Sequence, residues 1–234
     1  MGQKGRETFP ASRTERIMEE LERHAFAFRI GEGKFEAFRE RLGRFWPVVT
    51  SLLDRIKADN FSLWQIGDLV FGYYETMKTP RLPADKLAAL EEIMEASRDI
   101  GEWISTPMQE MRLMYQDFGV VRSSKELIRH RVFATQLKGD FQEEYKRRHD
   151  ALVEARNGAI TPGPDSNFSI WNAGRYIFGY DEIDVTMEQA ETEASRQAAI
   201  DWETKMLEIM EWFTDDVDWI TGERHPHVVR LAYH

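Results

Sequence analysis

The sequence predicts an α+β fold made of two tandem copies of one small module, each an antiparallel sheet with helices on one face. Two observations carry this. The first is an internal repeat. Asn60-Phe61-Ser62-Leu63-Trp64-Gln65-Ile66-Gly67 is matched by Asn167-Phe168-Ser169-Ile170-Trp171-Asn172-Ala173-Gly174, and Phe71-Gly72-Tyr73 by Phe178-Gly179-Tyr180, at one offset of 107. The offset runs back without a gap to Phe26-Ala27 and Phe133-Ala134. The second is that each copy alternates between strand-like and helix-like periodicity in the same order.

In the first copy, residues 24–30 alternate and are aromatic-rich, as a strand does. Residues 34–55 place Phe35, Phe38, Leu42, Phe45 and Val49 on one helical stripe. Residues 61–64 and 69–74 read as a hairpin turning at Gly67-Asp68. A helix is expected over 83–104, with Pro83 in its first turn, and a strand over 111–116. The second copy follows with a strand over 130–137, a helix over 141–156, a hairpin over 168–180, a helix over about 187–213 and a strand over 228–233. Two Pro and two Gly in 158–166 shorten its first helix. A further helix is expected over 12–22, with Ser12 as N-cap and Glu15 three residues on. The domain reading is therefore a helical extension (1–22), a first module (23–118), a linker (119–127) and a second module (128–234).

Beyond the hairpin the copies drift. Trp103 is aligned with Trp202, which leaves eight extra residues in the first copy, and 112–115 is aligned with 230–233.

This order is the ferredoxin-like split β-α-β arrangement. Its helices cover one sheet face. Trp64, Tyr73, Trp171 and Tyr180 lie on the other face and need burial, so the two sheets are expected to pack face to face as an internal pseudo-dimer.

Composition narrows the function. The formal net charge of −10 disfavours a phosphate backbone as partner, so no nucleic acid is expected. No cysteine is present, so disulfides and thiolate metal sites are excluded. No apolar run is long enough to span a bilayer, and the first residues lack a signal-like stretch, so the expectation is a cytoplasmic protein without a membrane partner. No phosphate-cradling loop or metal motif stands out. His225 and His227 read as a loop pair, and neither metal nor cofactor is expected. Trp202, Trp212 and Trp219 could floor a sugar site or pack a helix.

The first copy serves as an internal control for the second. Phe38 and Leu42, four apart on one helix face, become Tyr145 and His149 at +107. A buried phenol or imidazole costs free energy unless hydrogen-bonded, about 1–3 kcal/mol, and hydrocarbon satisfies the same scaffold in the first copy. Two readings stay open: the pair lines a pocket between helix and sheet, or it is satisfied internally. On the first reading the second half has a cavity lined by Tyr145, His149 and Trp202, and the equivalent space in the first half is filled by Phe38 and Leu42.

Residues 141–149, with Glu143-Glu144-Tyr145 and Arg148-His149, resemble the E-E-Y-x-x-R-H first-helix motif of L-rhamnose mutarotases. Phe45-Trp46-Pro47 is similar to the family's I-W-P, Asn-Phe-Ser-Ile/Leu-Trp to its N-Y-x-I-Y/F strand, and Asp201-Trp202 to its R-W-W element. The resemblance implies a dimeric α/β-barrel-type fold and interconversion of the α and β anomers of a 6-deoxyhexose such as L-rhamnose. It assigns His149 as proton donor and Tyr145, Phe168, Trp202 and Glu203 to the sugar site. Phe168 stands where the family has Tyr, and Glu203 where it has a second Trp. The first copy, with Phe38, Leu42 and Phe61 at the matching places, is read as inactive, and a further homodimer is compatible with the pattern. The alternatives are another small-molecule enzyme on the same scaffold (lyase, isomerase or cofactor-free oxygenase) and a non-catalytic sugar-binding module.

Overall fold

The computed structural model describes residues 21–77, 83–117, 128–157, 164–188, 190–214 and 228–234. The predicted 12–22 helix lies outside these, save Leu21 and Glu22, which open a strand. The 119–127 linker, Trp219, His225 and His227 lie outside as well.

In chain order the elements are β1 (Leu21–Ile30), α1 (Phe35–Ile56), β2 (Asp59–Ile66), β3 (Leu69–Met77), α2 (Ala84–Ala96), β4 (Gly101–Ser105) and β5 (Arg112–Asp117). The order then repeats as β6 (Ile128–Leu137), α3 (Gln142–Arg156), β7 (Asp165–Ala173), β8 (Tyr176–Asp184), α4 (Glu193–Met206), β9 (Met210–Thr214) and β10 (Val229–Tyr233). Two five-stranded antiparallel sheets result, in the orders β10-β2-β3-β1-β4 and β5-β7-β8-β6-β9. This is the α+β fold expected, two ferredoxin-like sheets arranged as a dimeric α/β barrel within one chain.

The strand closing each half does not join its own sheet. β5 pairs with β7 of the second sheet, and β10 pairs with β2 of the first. The halves therefore exchange their last strands. Each sheet's own fourth strand is β4 or β9, which the predicted helices over 83–104 and about 187–213 run into.

Both helix ends have local causes. α4 starts at Glu193 because Thr192 and Ser195 form a reciprocal capping box. α2 stops at Ala96, where the Ser97 hydroxyl donates to the Met94 carbonyl at 2.7 Å. Gly101 then starts β4 against β1, so close that a Cβ there would lie 2.1 Å from the Arg29 carbonyl oxygen.

These bounds correct two alignments. Trp103 sits opposite Phe28 and Trp212 opposite Thr135, so Trp103 answers Trp212 (212 − 103 = 109) and Trp202 answers Ile93. The first copy is thus two residues shorter between hairpin and β4, not eight longer. The exchanged strands also shift by one: Tyr115 sits opposite Ile170 and Ala232 opposite Leu63, so Tyr115 answers Ala232.

The inner faces of the two sheets share one core that includes Trp64, Phe71, Tyr73, Trp171, Phe178 and Tyr180. Phe71 stacks on Phe178 with centroids 4.9 Å apart, as the face-to-face expectation requires. The outer faces carry separate cores under α1/α2 and α3/α4. Among the described residues no helix is long and apolar enough to cross a membrane.

Candidate functional site

Helix α3 buries only Tyr145, Arg148 and His149, the i, i+3 and i+4 set that one helix face presents to the sheet. The other side chains of α3 are half-buried or exposed, so these three define what the second half keeps beneath its first helix.

Arg148 is structural. Its Nε donates to Glu144 Oε1 at 2.7 Å, its Nη2 to Glu208 Oε2 at 2.9 Å, and its Nη1 to the Lys205 carbonyl. Arg41, its counterpart at −107, makes the same clamp on Ala96 and Asp99. A cation at the last carbonyls of α2 or α4 fixes the angle between paired helices in both halves. The motif's acidic residues are also tied down. Glu143 pairs with Arg112 of the exchanged strand. Arg147 and then Arg148 hold the Glu144 carboxyl at about 2, so it stays ionised.

His149 is 4% exposed and Tyr145 2%. His149 Nδ1 lies 3.0 Å from the Tyr145 carbonyl oxygen, one turn back. A carbonyl only accepts, so Nδ1 carries the hydrogen and Nε2 presents a lone pair. The imidazole is enclosed by aromatics. Tyr145 stacks on it at 4.4 Å, Trp202 meets it edge-on at 5.1 Å, and Tyr115 lies 5.4 Å away. Phe168 backs Tyr115 at 5.4 Å. Burial lowers the His149 pKa to about 4, against a smaller opposing effect of the Tyr145 carbonyl. Burial likewise pushes the Tyr145 phenol up, so both rings are neutral at neutral pH.

Residues 130–229 match the L-rhamnose mutarotase family model. The C-terminal half therefore has a mutarotase-like scaffold, and the match includes the whole α3 motif. No curated protein matches the chain. Among solved structures, a candidate monooxygenase from Fusobacterium nucleatum is 8% identical over 82% of this chain and 87% of its own, with a TM-score of 0.40. An anthrone oxidase-like protein is 12% identical over 90% of this chain and 93% of its own, with a TM-score of 0.41.

Within the mutarotase-like half, His149, Tyr145 and Trp202 come together, with Phe168 behind Tyr115. Glu203 follows Trp202 and points about 100° away around α4. It is buried and accepts the Trp212 indole N–H, tying α4 to β9.

Two residues absent from the sequence reading belong to this region. Tyr115 reaches it only because β5 is exchanged. Asp181, 3% exposed, alternates with Tyr180 and so faces the helices. Burial first, then Asp165, raises its pKa to about 8, with Arg131 opposing. Its Oδ1 makes no hydrogen bond among the described residues. Burial raises the Tyr115 pKa, with Arg156 opposing and the Asp181 charge adding a smaller push in the same direction. Asp181 stands at +107 from Tyr74, so the comparison that found His149 could have found it.

The first half departs from the expected contrast. Phe38 and Leu42 do not fill the first half; they line a cavity of about 190 Å³ there, together with Trp46, Phe61 and Trp103. The replacement of Tyr115 by Ala232 and of Trp202 by Ile93 removes two large rings from the corresponding space. His149 and Tyr145, for their part, are packed into the aromatic core of the second half.

Proposed function

We propose that the second half is a sugar mutarotase acting on a 6-deoxyhexose such as L-rhamnose, with His149 as base and Asp181 as acid. The observation that carries this is the His149 hydrogen bond: Nδ1–H is committed to the Tyr145 carbonyl, and Nε2 is left as an acceptor in an aromatic enclosure. An imidazole of pKa about 4 is a proton acceptor at neutral pH. This departs from the proton-donor role implied by the family motif. Asp181, with its pKa near 8, holds its proton at neutral pH and can give it. Two groups whose environments push their pKa values apart make a natural acid/base pair.

In the proposed reaction Nε2 takes the anomeric hydroxyl proton, the bond from the anomeric carbon to the ring oxygen breaks, and Asp181 protonates that oxygen. The aldehyde rotates. Closure on its other face returns one proton to Asp181 and one from the imidazolium to the new anomeric oxygen. Trp202, half-buried at the edge of the enclosure, offers an apolar face for the sugar ring. Tyr145 and Phe168 complete the wall.

The test is exchange NMR of anomeric protons with L-rhamnose and L-fucose. A positioned acid or base is worth about 10²–10⁴-fold, so His149→Ala and Asp181→Asn should each slow exchange by about that much. Wild-type exchange equal to buffer would sink the proposal.

A further inference from the structure

The cavity of the first half is chemically unlike a sugar site. Its floor is the outer face of the first sheet, with Phe26, Phe28 and Phe61, and its roof is α1, with Leu42, Trp46 and Val49. The rings meet at varied angles: Phe28 and Trp103 are edge-to-face at 5.1 Å, and Trp46 is tilted against Phe61 at 6.0 Å. Its polar groups are already bonded to one another. Trp103 Nε1 donates to the Ser97 hydroxyl at 2.8 Å, Ser97 donates to the Met94 carbonyl, and Arg41 is held by Asp99 at 2.6 Å. Tyr74 is the exception: it lines the cavity, and its hydroxyl makes no hydrogen bond among the described residues.

We propose that this cavity binds a small neutral aromatic molecule of one or two fused rings carrying a single hydrogen-bonding oxygen. Size supports one or two rings, because an apolar cavity of about 150 Å³ accepts benzene and this one is near 190 Å³. Shape and quadrupole support an aromatic guest, since the lining rings meet at varied angles and suit edge and face contacts with a further ring. Polarity excludes a sugar: its hydroxyls would surrender water and find one free partner, and each buried unmet group costs about 1–3 kcal/mol. The Tyr74 hydroxyl provides the single polar contact. Burial and then Glu110 keep it a neutral phenol, so it can donate across the working pH range.

The experiment is calorimetric titration of the full chain with 2-naphthol, beside octanoate and L-rhamnose. One saturable site for 2-naphthol is expected, with at least tenfold weaker binding of the other two. Val49→Phe and Ile93→Phe, which fill the cavity from α1 and α2, should each weaken 2-naphthol at least tenfold, and Tyr74→Phe several-fold. His149→Ala should bind it as wild type does, which separates this cavity from the proposed mutarotase site. On wild type, NMR contacts from the naphthol ring to the Leu42 and Val49 methyls give a readout independent of folding in the variants. No saturable binding, equal affinity for octanoate, ring contacts elsewhere, or loss of binding in His149→Ala would each overturn the proposal. None of these results bears on anomer exchange.

Discussion

Tyr73 and Tyr180 lie face to face across the seam between the sheets, with centroids 3.8 Å apart and planes 12° from parallel. Each hydroxyl donates to a carboxyl two residues on: Tyr73 to Glu75 Oε1 at 2.9 Å, Tyr180 to Glu182 Oε1 at 3.0 Å. Both glutamates are buried, Glu182 fully. Asn60 and Asn167 bridge them. Asn60 Nδ2 reaches Glu75 Oε1 at 3.1 Å and Glu182 Oε1 at 2.7 Å, and Asn167 Nδ2 donates to the same two oxygens. Arg23 Nε donates to Asn167 Oδ1 at 2.5 Å. A polar cluster in the middle of an aromatic seam holds only if its members satisfy one another.

Asn167 has a second duty, a left-handed backbone with φ 52°, shared by Asn60 at 55°. Asn167→Ala should destabilise the protein by about 2–5 kcal/mol, combining unmet carboxyl oxygens with a strained backbone. Asn167→Gly removes the strain and keeps the loss of bonds, so it should recover about 1 kcal/mol of that. Urea unfolding of the three proteins decides it. Both variants within 0.5 kcal/mol of wild type would show the cluster to be idle.

Gly72 and Gly179 lie under aromatic rings. A Cβ on Gly179 would stand 2.0 Å from Phe133 Cε1, and one on Gly72 2.1 Å from Phe26 Cζ. Gly179→Ala should therefore cost about 1–3 kcal/mol by overpacking, with Phe133→Leu restoring part of it in the double variant. Additive losses in a thermal-unfolding cycle would contradict the contact.

Much of this was visible in the sequence. The alternation around Tyr73 and Tyr180 told which face needed cover, and Phe-Gly-Tyr at one offset marked equivalent places. Periodicity says which way a side chain faces but not which strand lies beside it, so the exchange of β5 and β10 was illegible. β4 and β9 were hidden because five-residue strands follow short turns from helices. The i, i+4 pair Tyr145/His149 was found because polar replaced apolar between copies. Asp181 escaped because an acid in a strand end that also carries Glu182 and Asp184 reads as solvent-facing. The first-half cavity was illegible because Phe38 and Leu42 look large enough to fill space, while the loss that opens it occurs at Ile93 and Ala232.

The exchange makes the C-terminus structural. His234 exchanges two backbone hydrogen bonds with Phe61, each 3.0 Å, and Arg230 lies over the Trp64 ring at 5.6 Å. Deleting residues 228–234 leaves β2 as a bare sheet edge, a template for intermolecular pairing. The truncated chain should lose roughly 5–10 °C in Tm, equivalent to about 2–3 kcal/mol. It should also aggregate with concentration in light scattering. A monodisperse truncation with unchanged Tm would mean that β10 adds nothing to the first sheet.

His149 and Asp181 pull stability in opposite directions with pH. The unfolded chain protonates His149 below about 6.5, while the folded protein refuses that proton until about 4. The unfolded state thus binds more protons in this window, and stability falls as pH drops through it, by roughly 3 kcal/mol. Asp181 behaves conversely. Folded, it keeps its proton up to about 8; unfolded, it releases it near 3.8. Stability therefore falls as pH rises between those values, on the order of 5 kcal/mol. Asp181→Asn is neutral at every pH and should be more stable than wild type at pH 8 by several kcal/mol, the gap closing toward pH 4. His149→Leu, the residue found in the first half, should flatten the acid limb between pH 6.5 and 4. Denaturant unfolding from pH 4 to 8 measures both. A constant offset between Asp181→Asn and wild type would mean that Asp181 is ionised in the folded protein, which would remove it as the acid. A variant that gains stability at pH 8 while losing anomer exchange would instead mark Asp181 as a group kept for chemistry at the expense of the fold.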